Sequence, residues 1–218
     1  MIIGLTGNFG SGKSTVVKMF KELDNNRIKD MNVNIIDVDK IGHNVLNGEC
    51  YKEVLEEFGS DILDYDLKID REILREIVFD DKTKLKKLES ILHPRMLSEV
   101  ELELRRFDTK HSVVIIEAAI LIELGLLGLI DKLIVVVCKR QHERLNMRDD
   151  NNNNNNNRPN SKDNILNVSE EEINKILDAQ MDESALEAKA HFVVDNNGTL
   201  ENTRKQVEEV WNSIFAIR

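Results

Sequence analysis

The chain has 218 residues, a length that fits one domain or one domain with a small appendage. A formal net charge of −10 argues against a nucleic-acid-binding protein, because such proteins need basic residues to neutralise phosphates. No apolar stretch approaches the roughly 20 residues of a membrane-spanning helix, and the two cysteines lack metal-like spacing, so we expect a cytoplasmic protein without membrane contact.

Short apolar runs alternate with segments of helical periodicity along the chain. We expect five β-strands, at "MIIGLT", "NVNIIDVD", the start of "SVVIIEAAILIE", "DKLIVVVC" and "HFVVDN". We expect helices at "KSTVVKMFKEL", "YKEVLEEFG", "REILREIVFDD", "KTKLKKLESIL", "RMLSEVELELRRF", "VSEEEINKIL" and "LENTRKQVEEVWNSIF". Pro94 is expected to interrupt the helical segment in which it lies. Because the first predicted strand starts at Ile2, we expect no targeting peptide within the sequence as given, and a longer precursor that carries one is left open. The alternation predicts an α/β fold, with five parallel strands in the middle layer and helices on both faces.

Residues 151–157 are all asparagine and are followed by "RPNSKDNILN". This stretch has little apolar surface to bury, so we expect a disordered or mobile loop. It lies between two predicted helices, which indicates an insertion and not a domain boundary.

The residues from Gly7 to Ser14 read G-x-x-x-x-G-K-S, the pattern of a phosphate-binding loop, with a predicted strand before it and a predicted helix after it. A glycine-rich turn offers backbone N–H groups without side-chain obstruction, and the following helix directs its first amides to the same point. Lys13 brings a positive charge to the β- and γ-phosphates of a nucleotide. The Ser14 hydroxyl is a candidate ligand for Mg²⁺.

Asp37 and Asp39 end the second predicted strand. In an extended chain, residues two apart point the same way, and open α/β sheets bind ligands at the carboxyl ends of their strands. These acids are therefore candidates to position Mg²⁺ or to accept a proton from an attacking hydroxyl. The alternative is that one of them only caps the next helix.

Acidic and basic side chains beyond this strand are further candidates. Glu117 ends the third strand, where P-loop proteins place an acid that orders Mg²⁺ or its water. Arg140, Arg144 and Arg148 recur every four residues and therefore share one helix face. That face is interpreted either as part of a lid over ATP or as a solvated basic surface.

For three residues farther along the chain, the sequence does not decide between a functional and a structural role. In "SILHPRM", Arg95 is placed to meet a phosphate of the acceptor, whereas a lone histidine such as His93 is more often structural. Glu123 has two interpretations, a site residue or a solvated acid at the start of a helix.

In their order and spacing, several motifs together resemble the dephospho-CoA kinase family along essentially the whole chain outside the Asn-rich insertion. They are "GLTGNFGSGKST", "IIDVDKIGH", "FGSDIL", "ILHPRM", "IIEAAILIE", "ERLNMRD", "ILDAQM" and "VVDNNG". The resemblance implies transfer of the γ-phosphoryl group of ATP to the ribose 3′-hydroxyl of dephospho-CoA, the last step of coenzyme A synthesis. It implies a P-loop nucleoside-kinase-like core at residues 1–39, 111–139 and 190–218. It also implies a helical CoA-binding insertion at 40–110 and a helical lid at 140–189, which contains the Asn-rich insertion at 151–167.

The resemblance also implies roles for individual residues. The residues that hold the phosphates of ATP are Asn8, Phe9, Gly10, Ser11, Gly12, Lys13, Ser14 and Thr15. The catalytic residues are Lys13, Arg144, Arg148 and either Asp39 or Asp37 as the base, with Mg²⁺ held by Ser14 and Asp37. The residues on the substrate side are His93, Arg95, Glu117 and Gln180.

At some positions the chain departs from the family pattern. Many bacterial members have proline where this chain has Ala119, and "EAAILIE" looks more like the kinase half of the eukaryotic bifunctional CoA synthase. His191 and Leu186 stand where an acid and a lysine are common. These differences concern the lid contacts more than the core of the site.

Two other functions fit the phosphate-binding loop alone. One is a P-loop kinase that acts on a nucleoside monophosphate or another small molecule. The other is a GTP-dependent switch, which needs a guanine-reading motif such as N-K-x-D; the nearest string, "VVDNNG", lacks the lysine.

Overall fold

The computed structural model of the chain describes residues 1–27, 32–139 and 170–215. The strands in these ranges are β1 (Ile2–Thr6), β2 (Asn32–Asp37), β3 (Ser112–Glu117), β4 (Lys132–Val137) and β5 (Phe192–Asp195). The helices before β3 are α1 (Lys13–Arg27), α2 (Val38–Asn47), α3 (Tyr51–Phe58), α4 (Arg71–Phe79) and α5 (Lys82–Leu104). The helices after β4 are α6 (Glu170–Ala179), α7 (Glu183–Glu187) and α8 (Leu200–Ile214). Short 3₁₀ turns lie at Ser60–Ile62 and Leu126–Leu129.

The five strands form one parallel sheet in the order β2-β3-β1-β4-β5. β1 lies in the centre, between β3 and β4. Because the strands are parallel, the loops that follow them all begin at the same edge of the sheet, which is where open α/β folds bind ligands. The predicted α/β fold with a five-stranded parallel sheet is confirmed.

Both faces of the sheet are buried, which explains why its strands read as continuous apolar runs. In β3, Val113 and Ile115 belong to one core cluster, and Val114 and Ile116 belong to the other. The strand therefore contributes side chains alternately to two cores, as the period of a β-strand requires.

The two cores are covered by different helices. On one face α1 packs against α8, where the rings of Phe20 and Trp211 lie 6.1 Å apart between centroids. On the other face, buried side chains of α2 to α5 pack against the sheet, among them Val45, Val54 and Val100. None of the described helices is long and apolar enough to cross a membrane.

Helix α5 continues through Pro94, so the expected interruption there is wrong. Proline has no N–H to donate to the carbonyl of Ser90, and in a helix interior this loss is costly. The helix nevertheless continues, since Met96, Val100 and Leu104 are buried on the next turns. Tertiary packing of these three side chains thus outweighs the local preference of proline.

The connection after β4 is described only in part. The Asn-rich segment at 151–167 and most of the predicted lid lie outside the described residues. The described chain resumes with α6, and α7 follows before β5.

Candidate active site

The loop between β1 and α1 is shaped by two of its glycines. Gly7 lies so close to β4 that a Cβ atom on it would be 2.2 Å from the carbonyl oxygen of Val136. Gly10 has a φ of 78°, in the left-handed region where a Cβ atom causes strain. Ser11 N–H donates to the carbonyl of Asn8 at 3.1 Å. The result is a tight turn that leads from the central strand into the first turn of α1, the context that phosphate binding requires.

Lys13 is the first residue of α1, and its side chain is buried against the loop. Nζ donates hydrogen bonds to the carbonyl oxygens of Gly7 at 2.9 Å and Asn8 at 3.2 Å. Burial lowers the pKa of Lys13, and the carboxylates of Asp39 and Glu117 act in the opposite direction. The loop thus holds a buried ammonium group with two carboxylates near it.

Ser14 follows Lys13 and connects α1 to the end of β3. Its Oγ donates to Oε1 of Glu117 at 2.8 Å. Burial raises the pKa of Glu117; the hydrogen bond from Ser14 lowers it, and the charge of Asp37 raises it further. The predicted acid at the end of the third strand therefore contacts the predicted Mg²⁺ ligand of the loop.

The structure gives Asp37 and Asp39 different positions, whereas the sequence predicted both on one extended strand. β2 ends at Asp37, and Val38 is already the first residue of α2. Asp37 accepts a hydrogen bond from the N–H of Lys40 at 2.9 Å and so caps α2. The predicted strand through Asp39 is wrong, because the chain turns into a helix directly after its cap.

Asp39 lies in the first turn of α2. Burial raises the pKa of Asp39 although its surface remains in part accessible to solvent; Lys13 lowers this pKa, Asp37 raises it, and the nearby backbone of Ala119 helps to lower it. A carboxylate with a raised pKa close to a buried lysine is suited to accept a proton near neutral pH.

Three side chains with oxygen ligands gather at this edge of the sheet. Glu117 contacts Ser14, and Glu117 and Asp37 are register partners at the ends of β3 and β2. Such oxygens suit Mg²⁺, which usually binds one or two carboxylates together with substrate phosphates. No group of three or more His, Cys, Asp or Glu side chains in the described ranges is arranged to hold a metal by itself. The donor set fits a magnesium ion that is shared with a phosphate.

Three buried polar atoms of the loop and its approach have no hydrogen-bond partner in the described part of the chain: Thr6 Oγ1, Asn8 Oδ1 and Ser11 Oγ. Buried polar atoms are nearly always hydrogen-bonded in folded proteins. Their concentration at one loop is consistent with a polar ligand there.

The segment after α6 contacts the loop from the other side. Oε1 of Gln180 accepts a hydrogen bond from the backbone N–H of Phe9 at 2.8 Å. Three residues on, Oε2 of Glu183 accepts from the N–H of Cys138 at 3.2 Å, just after β4. Gln180, predicted on the substrate side, therefore lies at the phosphate-binding loop.

His93 and Arg95 lie on α5, one of the helices that pack on the face of the sheet opposite to α1 and α8. His93 is half-buried; burial lowers its pKa, and Glu89 and Glu123 oppose this effect. Arg95 is exposed and lies 3.8 Å from Glu49. Oε1 of Glu123 accepts from the N–H of Met181 at 3.3 Å.

Asn196 is a residue of the site that the sequence did not identify. It is fully buried directly after β5, and its Nδ2 donates to the carbonyl of Ser11 at 2.8 Å. In the sequence, "VVDNNG" was one of the motifs of the family resemblance and was compared with a guanine-reading motif, but no role was predicted for Asn196 itself. The available signal was an asparagine directly after a predicted buried strand. Only the strand order shows that this strand ends near the phosphate-binding loop.

The remaining predicted site residues, Arg144 and Arg148, lie outside the described residues, as does Arg140.

Comparison with known proteins identifies relatives over the whole chain. The profile of a family described as dephospho-CoA kinase matches residues 1–202. A dephospho-CoA kinase of Aquifex aeolicus is 35% identical over 219 residues, which cover 97% of this chain and 96% of the relative. A solved structure of a Thermus thermophilus protein is 26% identical with a TM-score of 0.72, covering 98% of this chain and 97% of that one. A dephospho-CoA kinase structure from Campylobacter jejuni has the same fold, with a TM-score of 0.57 and 24% identity over 98% and 96% of the two chains.

Proposed function

The chain belongs to the dephospho-CoA kinase family, and we propose that it transfers the γ-phosphoryl group of ATP to the ribose 3′-hydroxyl of dephospho-CoA, the last step of coenzyme A synthesis. The observation that carries the proposed chemistry is that Lys13 and Asp39 both lie at the carboxyl edge of the sheet. Nζ of Lys13 is bonded to the loop carbonyls of Gly7 and Asn8. Asp39 lies in the first turn of α2, and each of the two groups favours the charged form of the other. One is a cation for the phosphates, and the other is a base for the attacking hydroxyl.

The donor side of the reaction is assigned to the loop. Residues 8–15 hold the phosphates of ATP through those loop N–H groups that have no acceptor in the described part of the chain, such as that of Gly12, and the ammonium of Lys13 stabilises charge on the transferring group. Ser14 and Asp37 hold Mg²⁺, and Glu117 orients Ser14 by accepting the hydrogen bond from its hydroxyl. When bound, the ion neutralises charge on the β- and γ-phosphates.

The acceptor side is assigned to α2 and α5. Asp39 accepts the proton of the 3′-hydroxyl as the oxygen attacks the γ-phosphorus, and its raised pKa favours that role near neutral pH. His93 and Arg95 contact dephospho-CoA from the helical part at residues 40–110, which would form the acceptor side of the cleft.

A lid is proposed for residues 140–189. In it, Arg144 and Arg148 support the transferring phosphoryl group, and closure excludes water that would otherwise compete as acceptor. The hydrogen bond from Phe9 to Gln180 supports this assignment, because it shows that the returning segment reaches the loop. The likeness of "EAAILIE" to the eukaryotic form of the enzyme stays a prediction.

The test is formation of coenzyme A from ATP and dephospho-CoA by the purified chain, compared between wild type, Asp39→Asn and Asp37→Asn. Both variants keep the shape of the side chain, and asparagine caps a helix about as well as aspartate. We expect Asp39→Asn to lower kcat by about 10²-fold or more, as for loss of a general base, with nearly unchanged ATP binding. Turnover that survives in Asp39→Asn and is lost in Asp37→Asn, with binding of ATP and Mg²⁺ retained, would assign the base to Asp37.

A second measurement separates this function from that of another small-molecule kinase. An acceptor panel would compare dephospho-CoA with nucleoside monophosphates and a water-only control. We expect dephospho-CoA to give the highest kcat/KM. A nucleoside monophosphate that is phosphorylated faster would overturn the proposed substrate but not the assignment of the donor site.

A further inference from the structure

Asn196 is held in one orientation inside the protein. Its backbone N–H donates to the carbonyl of Val137 at 2.9 Å, which continues the pairing of β5 with β4. Its Oδ1 accepts from Thr203 Oγ1 on α8 at 2.9 Å, and its Nδ2 donates to the carbonyl of Ser11 at 2.8 Å. A carbonyl oxygen can only accept, so the amide of Asn196 cannot be turned around without losing that bond.

The bond to Ser11 fixes the direction of a peptide group in the phosphate-binding loop. The peptide between Ser11 and Gly12 is trans and planar, so its N–H points away from its C=O. With the carbonyl of Ser11 directed at Asn196, the N–H of Gly12 is directed away from β5. In the described ranges this N–H has no backbone acceptor.

The direction of this peptide is not fixed by side-chain sterics, so it needs such support. Gly12 has a φ of 92° and no Cβ, so the steric barrier that keeps other residues out of alternative backbone conformations is absent. A rotation of the Ser11–Gly12 peptide would turn the carbonyl oxygen towards the place of the N–H and present a negative dipole to a phosphate.

We propose that Asn196 is a positioning residue for the nucleotide: through the Ser11 carbonyl it keeps the N–H of Gly12 directed at the phosphates of ATP. Asn196 does not itself contact the nucleotide phosphates. It connects β5 and α8 to the donor site, with Thr203 as the group that orients its amide. The role rests on the proposed use of the loop for ATP, but the deciding measurement is ATP binding, which needs no turnover; KM for dephospho-CoA is an additional readout.

The test uses Asn196→Asp in the full chain, with ATP affinity measured by calorimetry as a function of pH. A protonated aspartic acid offers one donor for Ser11 and one acceptor for Thr203, as the amide does. An ionised carboxylate offers no donor and repels the Ser11 carbonyl. Burial favours the protonated form. At low pH the new side chain should therefore keep the hydrogen bond to Ser11, and as the pH rises it should lose this bond.

We expect the ratio of Kd for ATP, variant to wild type, to be close to one at the acidic end. It should rise to about tenfold or more at the alkaline end, the value for loss of one well-placed hydrogen bond. The ratio cancels the pH dependence of ATP itself. KM for dephospho-CoA should stay within about twofold, since the acceptor does not use this peptide.

A matched control is Val207→Ala, which removes packing from the same helix without touching the hydrogen bonds of Asn196. It should lower the thermal stability and leave ATP affinity unchanged at every pH. If Asn196→Asp does not fold, Thr203→Val is the test variant. It keeps the shape of the side chain and removes the hydroxyl that orients Asn196. It should weaken ATP binding and leave KM for dephospho-CoA unchanged.

A ratio that does not depend on pH, or an equal loss of ATP affinity in Val207→Ala, would overturn the proposal in favour of a purely structural residue. If Asn196→Asp does not fold, wild-type ATP affinity in Thr203→Val would overturn the proposal in the same way. Wild-type chain that binds ATP but makes no coenzyme A would instead overturn the proposed function and leave this inference standing.

Discussion

At the scale of single residues, burial moves three charged groups around the loop towards their neutral forms. It lowers the pKa of Lys13 and raises the pKa of Asp39 and of Glu117. Each group therefore costs folding free energy in its charged form, and this cost is only partly offset by the others. Such an arrangement is typical of a site that is built for a charged ligand and not for stability.

The first prediction follows from the raised pKa of Asp39. A carboxyl group whose pKa is higher in the folded chain contributes its full stabilisation below its unfolded value, about 3.9, and this contribution is lost as the pH rises through the folded pKa. Asp39→Asn should therefore be more heat-stable than wild type at pH 7. Solvent access to Asp39 limits the gain to below about 1 kcal/mol, or under about 3 °C in Tm.

The measurement is Tm by circular dichroism from neutral to acidic pH, with Asp37→Asn as the control at the neighbouring acid. The advantage of Asp39→Asn should shrink as the pH falls through the folded pKa and disappear below about 3.9, the unfolded value, where the wild-type carboxyl becomes protonated in both states. If Asp39→Asn is less stable than wild type at pH 7, the negative charge of Asp39 stabilises the fold by offsetting the buried charge of Lys13.

At the scale of elements, the sequence predicted what depends on local pattern. The apolar runs and the glycine-rich loop identified all five strands and the start of α1, because both faces of the sheet are buried. It could not place Asp39, since a strand that ends in a helix cap looks in sequence like a strand two residues longer. It could not identify Asn196, whose partner Ser11 lies 185 residues away in the chain.

Pro94 gives the prediction at this scale, because packing and local preference oppose each other there. Pro94→Ala restores the N–H that the carbonyl of Ser90 lacks and removes the clash of the ring with that carbonyl. We expect the free energy of unfolding to rise by about 1–3 kcal/mol, measured with urea. Ser98→Ala is the control, an exposed position of the same helix where about 0.5 kcal/mol or less is expected. Equal effects of the two substitutions would show that α5 has already relaxed around the proline.

At the scale of the whole molecule, the helical part at residues 40–110 was predicted as a separate part of the architecture. In the structure, side chains of α2 to α5 share a core cluster with side chains of the sheet. The second cluster uses the other face of the same strands, and β3 contributes to both with alternating residues. Two cores that share their strands should lose their packing together.

Unfolding of the chain in urea tests that coupling with two probes. Trp211 is the only tryptophan, and it is buried between Phe20 of α1 and Phe215, so its fluorescence reports the α1 and α8 face. Far-ultraviolet circular dichroism reports all helices, including α2 to α5. We expect the two transitions to coincide, and ATP at 100 times its Kd to shift both by about 2.7 kcal/mol. If the dichroism changes at lower urea than the fluorescence and only the fluorescence responds to ATP, then residues 40–110 unfold as a unit of their own. In that case the acceptor side could open without disturbing the donor site.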